Sequence, residues 1–267
     1  MKKIAAAVLG LSALALAGCF DIEQTLTLEK DMSGKAGFSM KMDMNPMVAF
    51  MARMKRGMEG KEGDPTAEEI AAVKKEMLAT RKSETKLLPT DKAEIAKQLP
   101  KGVTLLDTKV HDEGLKFGMD MLFGFDHVSK LQEINLKKPE PAAAKETEEM
   151  PGPGPQGPNP AESPFKGLQF VDEGDTFLVT SPAENPVAEQ AEQAEQMEMS
   201  PEDKKQVEEM LGGLRVAFKI TAPFPVVEHN AHRKEGNTLI WEYNLESLEK
   251  MKPEDMAKGV RVRYRKK

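Results

Sequence analysis

Cysteine is almost missing from this chain: Cys19 is the single one among 267 residues. No disulfide can form within the polypeptide, so packing has to stabilise its fold. Long apolar runs are missing as well. After residue 16 none approaches the ~20 residues needed to span a bilayer as a helix. Positive charge is not in excess, since 38 Lys and Arg face 44 Asp and Glu for a net of −6, and nucleic acid is not expected as a partner. The common catalytic signatures are absent too. There is no G-x-S-x-G elbow, no glycine-rich phosphate loop followed by lysine and serine, and no spare thiol. Neither an enzyme nor a cofactor is expected.

What is present begins at the N-terminus. Met1-Lys2-Lys3 leads into an apolar run from Ile4 to Leu16, interrupted only by Gly10 and Ser12, and then Leu16-Ala17-Gly18-Cys19. Positive charge, greasy segment and small residues in that order predict a secretory signal over residues 1–18. Small Ala17 and Gly18 leave a peptidase room to cut before the thiol. The motif resembles the lipobox of bacterial lipoproteins, which implies diacylglycerol on Cys19 and cleavage after Gly18. A lipid anchor with two chains holds a membrane stably where one chain would not. The expected location is therefore the cell envelope, extracytoplasmic and membrane-anchored. Phe20 stands where an inner-membrane retention aspartate would be, so the outer membrane is expected if the organism has one.

From Asp21 the pattern turns to alternation, with Ile22, Leu26 and Leu28 on one side and Glu23, Thr25, Thr27 and Glu29 on the other. Lys30-Asp31-Met32-Ser33-Gly34-Lys35 supplies a turn. Ala36, Phe38, Met40, Met42 and Met44 then share a face, which predicts an antiparallel hairpin over 21–44. Asn45-Pro46 opens a helix carrying Met47, Met51, Met54 and Met58, and Asp64-Pro65-Thr66 opens a second that runs to about Lys82. A short helix with Ile95 and Leu99 precedes strands around Val103–Val110 and Gly114–Phe125. In the latter, Leu115, Phe117, Met119, Met121, Phe123 and Phe125 alternate, as a central core strand requires.

Residues 137–164 lose all periodicity and read as a flexible insert. Phe165 to Thr180 returns to strands around a turn at Asp172-Glu173-Gly174-Asp175. Residues 182–199 form a second low-complexity insert in which Ala-Glu-Gln recurs three times. Ser200-Pro201 starts a helix, strands follow around Val216–Ile220 and Leu239–Leu245, then a helix near Glu246–Lys250 and a last strand over Val260–Arg265. Residues 19–267 thus read as a single α+β domain, an antiparallel sheet packed with several helices and carrying two low-complexity inserts.

Two stretches bracket the mature chain: Asp31-Met32-Ser33-Gly34, and Gly236-Asn237-Thr238-Leu239-Ile240-Trp241. They resemble the early Asp-Gly-Ser-Gly turn and the late Gly-Asn-Thr-x-x-Trp strand of LppM-type lipoproteins. The resemblance implies one α+β domain and brings no catalytic residue with it. Met32 departs from the pattern at a glycine position, the inserts are extra, and the C-terminal membrane helix of many relatives is absent.

Three constellations bear on function. His229 and His232, with Glu228, are residue types that ligate zinc or copper, but they fall in a stretch read as a loop between Pro225 and a turn, and no metal site is assigned to them. The methionines from Met40 to Met58 suit three uses: core packing, Cu(I) binding by thioethers, or, with Arg53, Lys55 and Arg56, a helix lying on lipid. Core packing is the reading adopted. Val260, Val262 and Tyr264 alternate with Arg261, Arg263 and Arg265, so a strand would turn three arginines outward. That is either a charged edge strand or a contact for anionic lipid headgroups. The resulting expectation is a lipid-anchored, non-enzymatic envelope protein that binds a lipid or protein partner at the membrane surface. The alternative is a copper- or zinc-handling extracytoplasmic lipoprotein.

Overall fold

The computed structural model describes residues 20–61, 63–84, 91–134, 165, 167–181, 212–252 and 258–266. The signal segment with Cys19, both inserts and the helix expected from Ser200 lie outside these residues. Strand β1, Phe20–Leu28, and β2, Gly34–Asp43, form the expected antiparallel hairpin. Its turn holds Met32 at φ +66. Among the described residues Met32 is the one non-glycine in the left-handed region, which accounts for the glycine in the pattern it departs from. Asp31 fixes the turn by accepting from the backbone N–H and the hydroxyl of Ser33.

Three helices follow. The first, α1, Asn45–Met58, begins with proline in its first turn, and Asn45 N–H donates to Asp43 Oδ1 at 2.9 Å. The second, α2, Ala67–Glu84, opens on a reciprocal capping box. Glu69 N–H reaches Thr66 Oγ1 at 3.3 Å, and Thr66 N–H reaches Glu69 Oε2 at 2.8 Å. In the third, α3, Lys92–Gln98, Asp91 accepts from Ala93 and Glu94 N–H. Strands β3, Val103–Glu113, and β4, Lys116–Phe125, form a second hairpin closed by Gly114 at φ +70. A 3-10 turn, Val128–Glu133, comes next. Strands β5, Gln169–Asp172, and β6, Thr176–Thr180, are followed by β7, Arg215–Thr221. Then come β8, Val226–His229, β9, Arg233–Glu235, and β10, Thr238–Asn244. A short α4, Leu245–Lys250, and β11, Arg261–Arg265, complete the series.

The strands make two sheets, ordered β3-β4-β2-β1-β7-β10-β9 and β5-β6-β11-β8. The α+β class holds, with one qualification: β1 and β7 pair in parallel, so the larger sheet is mixed. Residues 226–229, read as loop, are instead strand β8. Its partner β11 lies between β6 and β8, so β11 is an interior strand and the edge-strand account of its arginines does not apply.

Apolar residues of both sheets meet in the main core. Leu26, Ile220, Leu239, Trp241 and Phe123 from the large sheet join Val179, Val262 and Tyr264 from the small one, with Val128, Leu131 and Ile95 from the turn and α3. Trp241 ties the layers together, since its indole N–H donates to Asn230 Oδ1 at 2.8 Å and the same oxygen accepts Arg261 N–H at 2.9 Å. The hairpin of α1 and α2 has a separate core of Met47, Val48, Phe50, Ala52, Val73 and Met77, joined by Leu115 from the β3–β4 turn.

Candidate functional site

Strand register sorts the core-facing side of the large sheet into rows that cross the strands. The deepest runs Leu239, Ile220, Leu26, Ala36, Phe123, Leu105. All six are buried in the main core. Two pairs further along, towards the start of β1, the row is Tyr243, Val216, Ile22, Met40, Met119, Val110. Here only Met119 is fully buried. Tyr243, Val216, Ile22 and Met40 are half-buried, and Val110 is 37% exposed. The last row, Phe20, Met42 and Phe117, is half-buried throughout. Burial also pushes the Tyr243 phenol above its ordinary value.

The longer of these two rows crosses six strands, about 24 Å at the usual ~4.8 Å spacing, and the last row crosses three of them. Among the described residues Phe20, Ile22, Met40, Met42, Phe117 and Val216 belong to neither core and are not packed against either. They form an apolar strip between the sandwich at one end and the α1–α2 hairpin at the other. It starts at Phe20, one residue after Cys19.

The opposite side of the same sheet is polar and paired. Arg215 donates to Asp21, Glu23 and Glu242 at 2.8, 2.9 and 3.0 Å, and Lys219 adds a contact to Glu23. Burial opposes the charge on Arg215, but the three carboxylates outweigh it and raise its pKa. Asp120 stands between Ser39 Oγ and His111 Nε2, each at 2.6 Å. Partial burial raises its carboxyl, yet these hydrogen bonds and the nearby charges of His111 and Lys41 bring it below its ordinary value. Ser39 therefore donates its proton to Asp120, and His111 meets the other oxygen of the same carboxylate.

The residues singled out in the sequence fall as follows. Met40 and Met42 lie in the strip. Met47 is buried, Met51 and Met54 are half-buried, and Met58 is 62% exposed, so the methionine series spans core, strip and surface. Arg53, Lys55 and Arg56 are engaged by Asp64, Glu76 and Glu69, which weakens the case for α1 resting on lipid through them. His229 and His232 have separate partners. The first accepts from Ala231 N–H and the second packs edge-on to Tyr243, and among the described residues no three His, Cys, Asp or Glu side chains group as metal ligands.

Arg261, Arg263 and Arg265 project from the outer side of β11, while Val262 and Tyr264 are fully buried. Arg263 is bidentate to Glu173 at 2.7 and 3.1 Å and also meets Glu228, which Arg261 approaches at 3.4 Å. Periodicity put Ile22 on the apolar side of β1 and Met40 and Met42 on that of β2, and the register brings them together. Periodicity did not reveal Val216 or Tyr243, because the parallel pairing that brings them alongside spans most of the chain.

No protein-family model matches the sequence, and no curated protein matches it either. Among solved structures the chain is similar to the folded domain of LppM from Mycobacterium tuberculosis, determined by NMR, at a TM-score of 0.39 and 8% identity over 93% of this chain and 91% of that one.

Proposed function

We propose that the protein is a lipid-anchored, non-enzymatic component of the cell envelope whose apolar strip receives acyl chains at the membrane surface. The supporting observation is the half-buried row of Ile22, Met40 and Val216, with Phe20 and Met42 beside it, at the end of β1 that follows Cys19. An acyl chain already in a bilayer gains little by moving. The driving force comes from covering the strip itself, at ~25 cal/mol per Å², or about 2.5 kcal/mol for each ~100 Å² withdrawn from water. Arg261 and Arg265 add a contact to anionic headgroups on the outer side of β11, each worth about 1 kcal/mol near such a surface. Arg263 serves mainly to cross-link Glu173 and Glu228.

The test is lipid retention by the mature protein. Extracted and stripped of detergent, it should take up a fluorescent fatty acid, and Met40→Arg should abolish uptake while leaving the melting profile intact. Undiminished uptake by that variant contradicts the proposal. The copper alternative keeps one foothold, the direct cross-strand pair Met40 and Met119. Titration with Cu(I) separates the two, since stoichiometric binding lost in Met40→Leu favours metal handling.

A further inference from the structure

Arg81 is the one charged residue fully buried among the described residues, at 4% exposure. It projects from α2 to the tip of the β3–β4 hairpin. There it donates to the Gly114 carbonyl, pairs with Asp112, and sets its guanidinium carbon 5.1 Å from the Phe117 ring centroid. Burying an arginine is costly unless its partners compensate, so its removal should be felt at the joint it makes. Phe117 belongs to the row of Phe20 and Met42, which places α2 over the end of the apolar strip.

The helical hairpin is also built to move as one body. Arg53–Asp64, Lys55–Glu76 and Arg56–Glu69 tie α1 and its following loop to α2. Among the described residues, Leu115 of the β3–β4 turn is the one buried member of the helical hairpin's core from outside the helices, and Met44 N–H donates to Leu115 O at 2.9 Å beside the root of α1. These attachments all gather at the β3–β4 turn. Along α1, Met51 and Met54 are half-buried and Met58 exposed, and flexible thioethers can repack against a changing surface.

We propose that the α1–α2 hairpin is a lid over the Phe117 end of the apolar strip and that Arg81, held by Asp112 and Gly114, is its latch. The latch fixes the lid at the Phe117 end. When Asp112 no longer bears on Arg81, the hairpin swings about Met44–Pro46 as a unit and uncovers Phe117, the residue of the strip that Arg81 touches. The inference rests on the acyl-chain reading only for the purpose of opening.

Hydrogen exchange on the full mature protein tests it, with Arg81→Met and Asp112→Asn as variants. Asp112 is exposed, so Asp112→Asn keeps the fold even if Arg81→Met does not. Loss of an ion pair to a buried arginine should speed exchange in residues 45–58 and 67–81 by about tenfold or more. Exchange at Leu26, Ile220 and Leu239 should not change, and uptake of an apolar fluorescent probe should rise. Unchanged helix exchange in Asp112→Asn, or a sheet that loosens in step with the helices, overturns the latch. Faster helix exchange without a gain in probe overturns the lid. If wild type and both variants take up no probe at all, the acyl-chain reading fails, and exchange still decides the latch separately.

Discussion

Asp21 and Arg215 are 194 residues apart in sequence, yet they stand side by side in the parallel ladder of β1 and β7 with a salt bridge of 2.8 Å. The same guanidinium holds Glu23 and Glu242, so one side chain crosses three strands. Replacing it with leucine leaves three carboxylates facing one another. Because the cluster is about one-third exposed, the cost is discounted from the buried-pair range to about 1–2 kcal/mol. Urea unfolding of Arg215→Leu should show it as a lower midpoint at unchanged slope.

The same cluster gives stability a direction with pH. Burial raises the Glu23 carboxyl, but Lys219 and Arg215 hold it below its ordinary 4.5, and Asp120 is likewise held below 3.8. A folded value depressed below the unfolded one contributes stability that is complete above the unfolded value and is lost as pH falls through the folded one. Melting temperature should thus be flat above about pH 5 and decline below about pH 4. In Arg215→Leu the part due to Glu23 should shrink but not vanish, since Lys219 still holds it, giving a shallower decline. A wild-type profile flat down to pH 2 would contradict these assignments.

Met32 supplies a backbone test. Its left-handed φ costs a side chain about 1 kcal/mol, whereas its partial packing on the main core returns some of that. Met32→Gly should leave stability within about 1 kcal/mol of wild type, since relief and lost packing oppose each other. Met32→Val puts a β-branched residue where that backbone least tolerates one, and should cost about 2 kcal/mol or more. Chemical denaturation of the two variants gives the ranking directly.

Much of this architecture is local and could be read residue by residue. The alternation of Leu26, Leu28 and Ala36 sets the first hairpin, and Thr66 with Glu69 announces α2. Asp91 caps α3, and Val262 and Tyr264 mark the buried side of β11. What stayed hidden depends on partners far apart in the chain. Nothing near β1 indicates that Ile22 lies beside Val216, and four residues from Val226 to His229, preceded by Pro223 and Pro225, carry too little periodicity to announce a strand. The placement of β11 inside its sheet follows from that unseen strand. The strip was half legible, in Ile22, Met40 and Met42. Its half-exposure was not, because alternation shows which side is apolar and not how much of it the other layers cover.

The arginines of β11 divide by partner. Arg263→Gln frees Glu173, whose carboxyl the guanidinium holds below its ordinary range, and Glu228. That change should loosen the β5–β6 turn, read as faster amide exchange at residues 172–176. The pair Arg261→Gln and Arg265→Gln should leave those amides unchanged and weaken binding to vesicles rich in anionic lipid at low salt. Vesicle binding unaffected by the pair removes the headgroup contact from the proposal.

The central claim is that acyl chains lie along Phe20, Ile22, Met40, Met42 and Val216. Photo-crosslinking of the mature protein with a phospholipid carrying a diazirine in its acyl chain, followed by peptide mapping, tests it most directly. The expected label falls in residues 20–42 and 215–221 and disappears in Met40→Arg. Label on the charged outer sides of the two sheets, or label insensitive to Met40→Arg, would contradict the account.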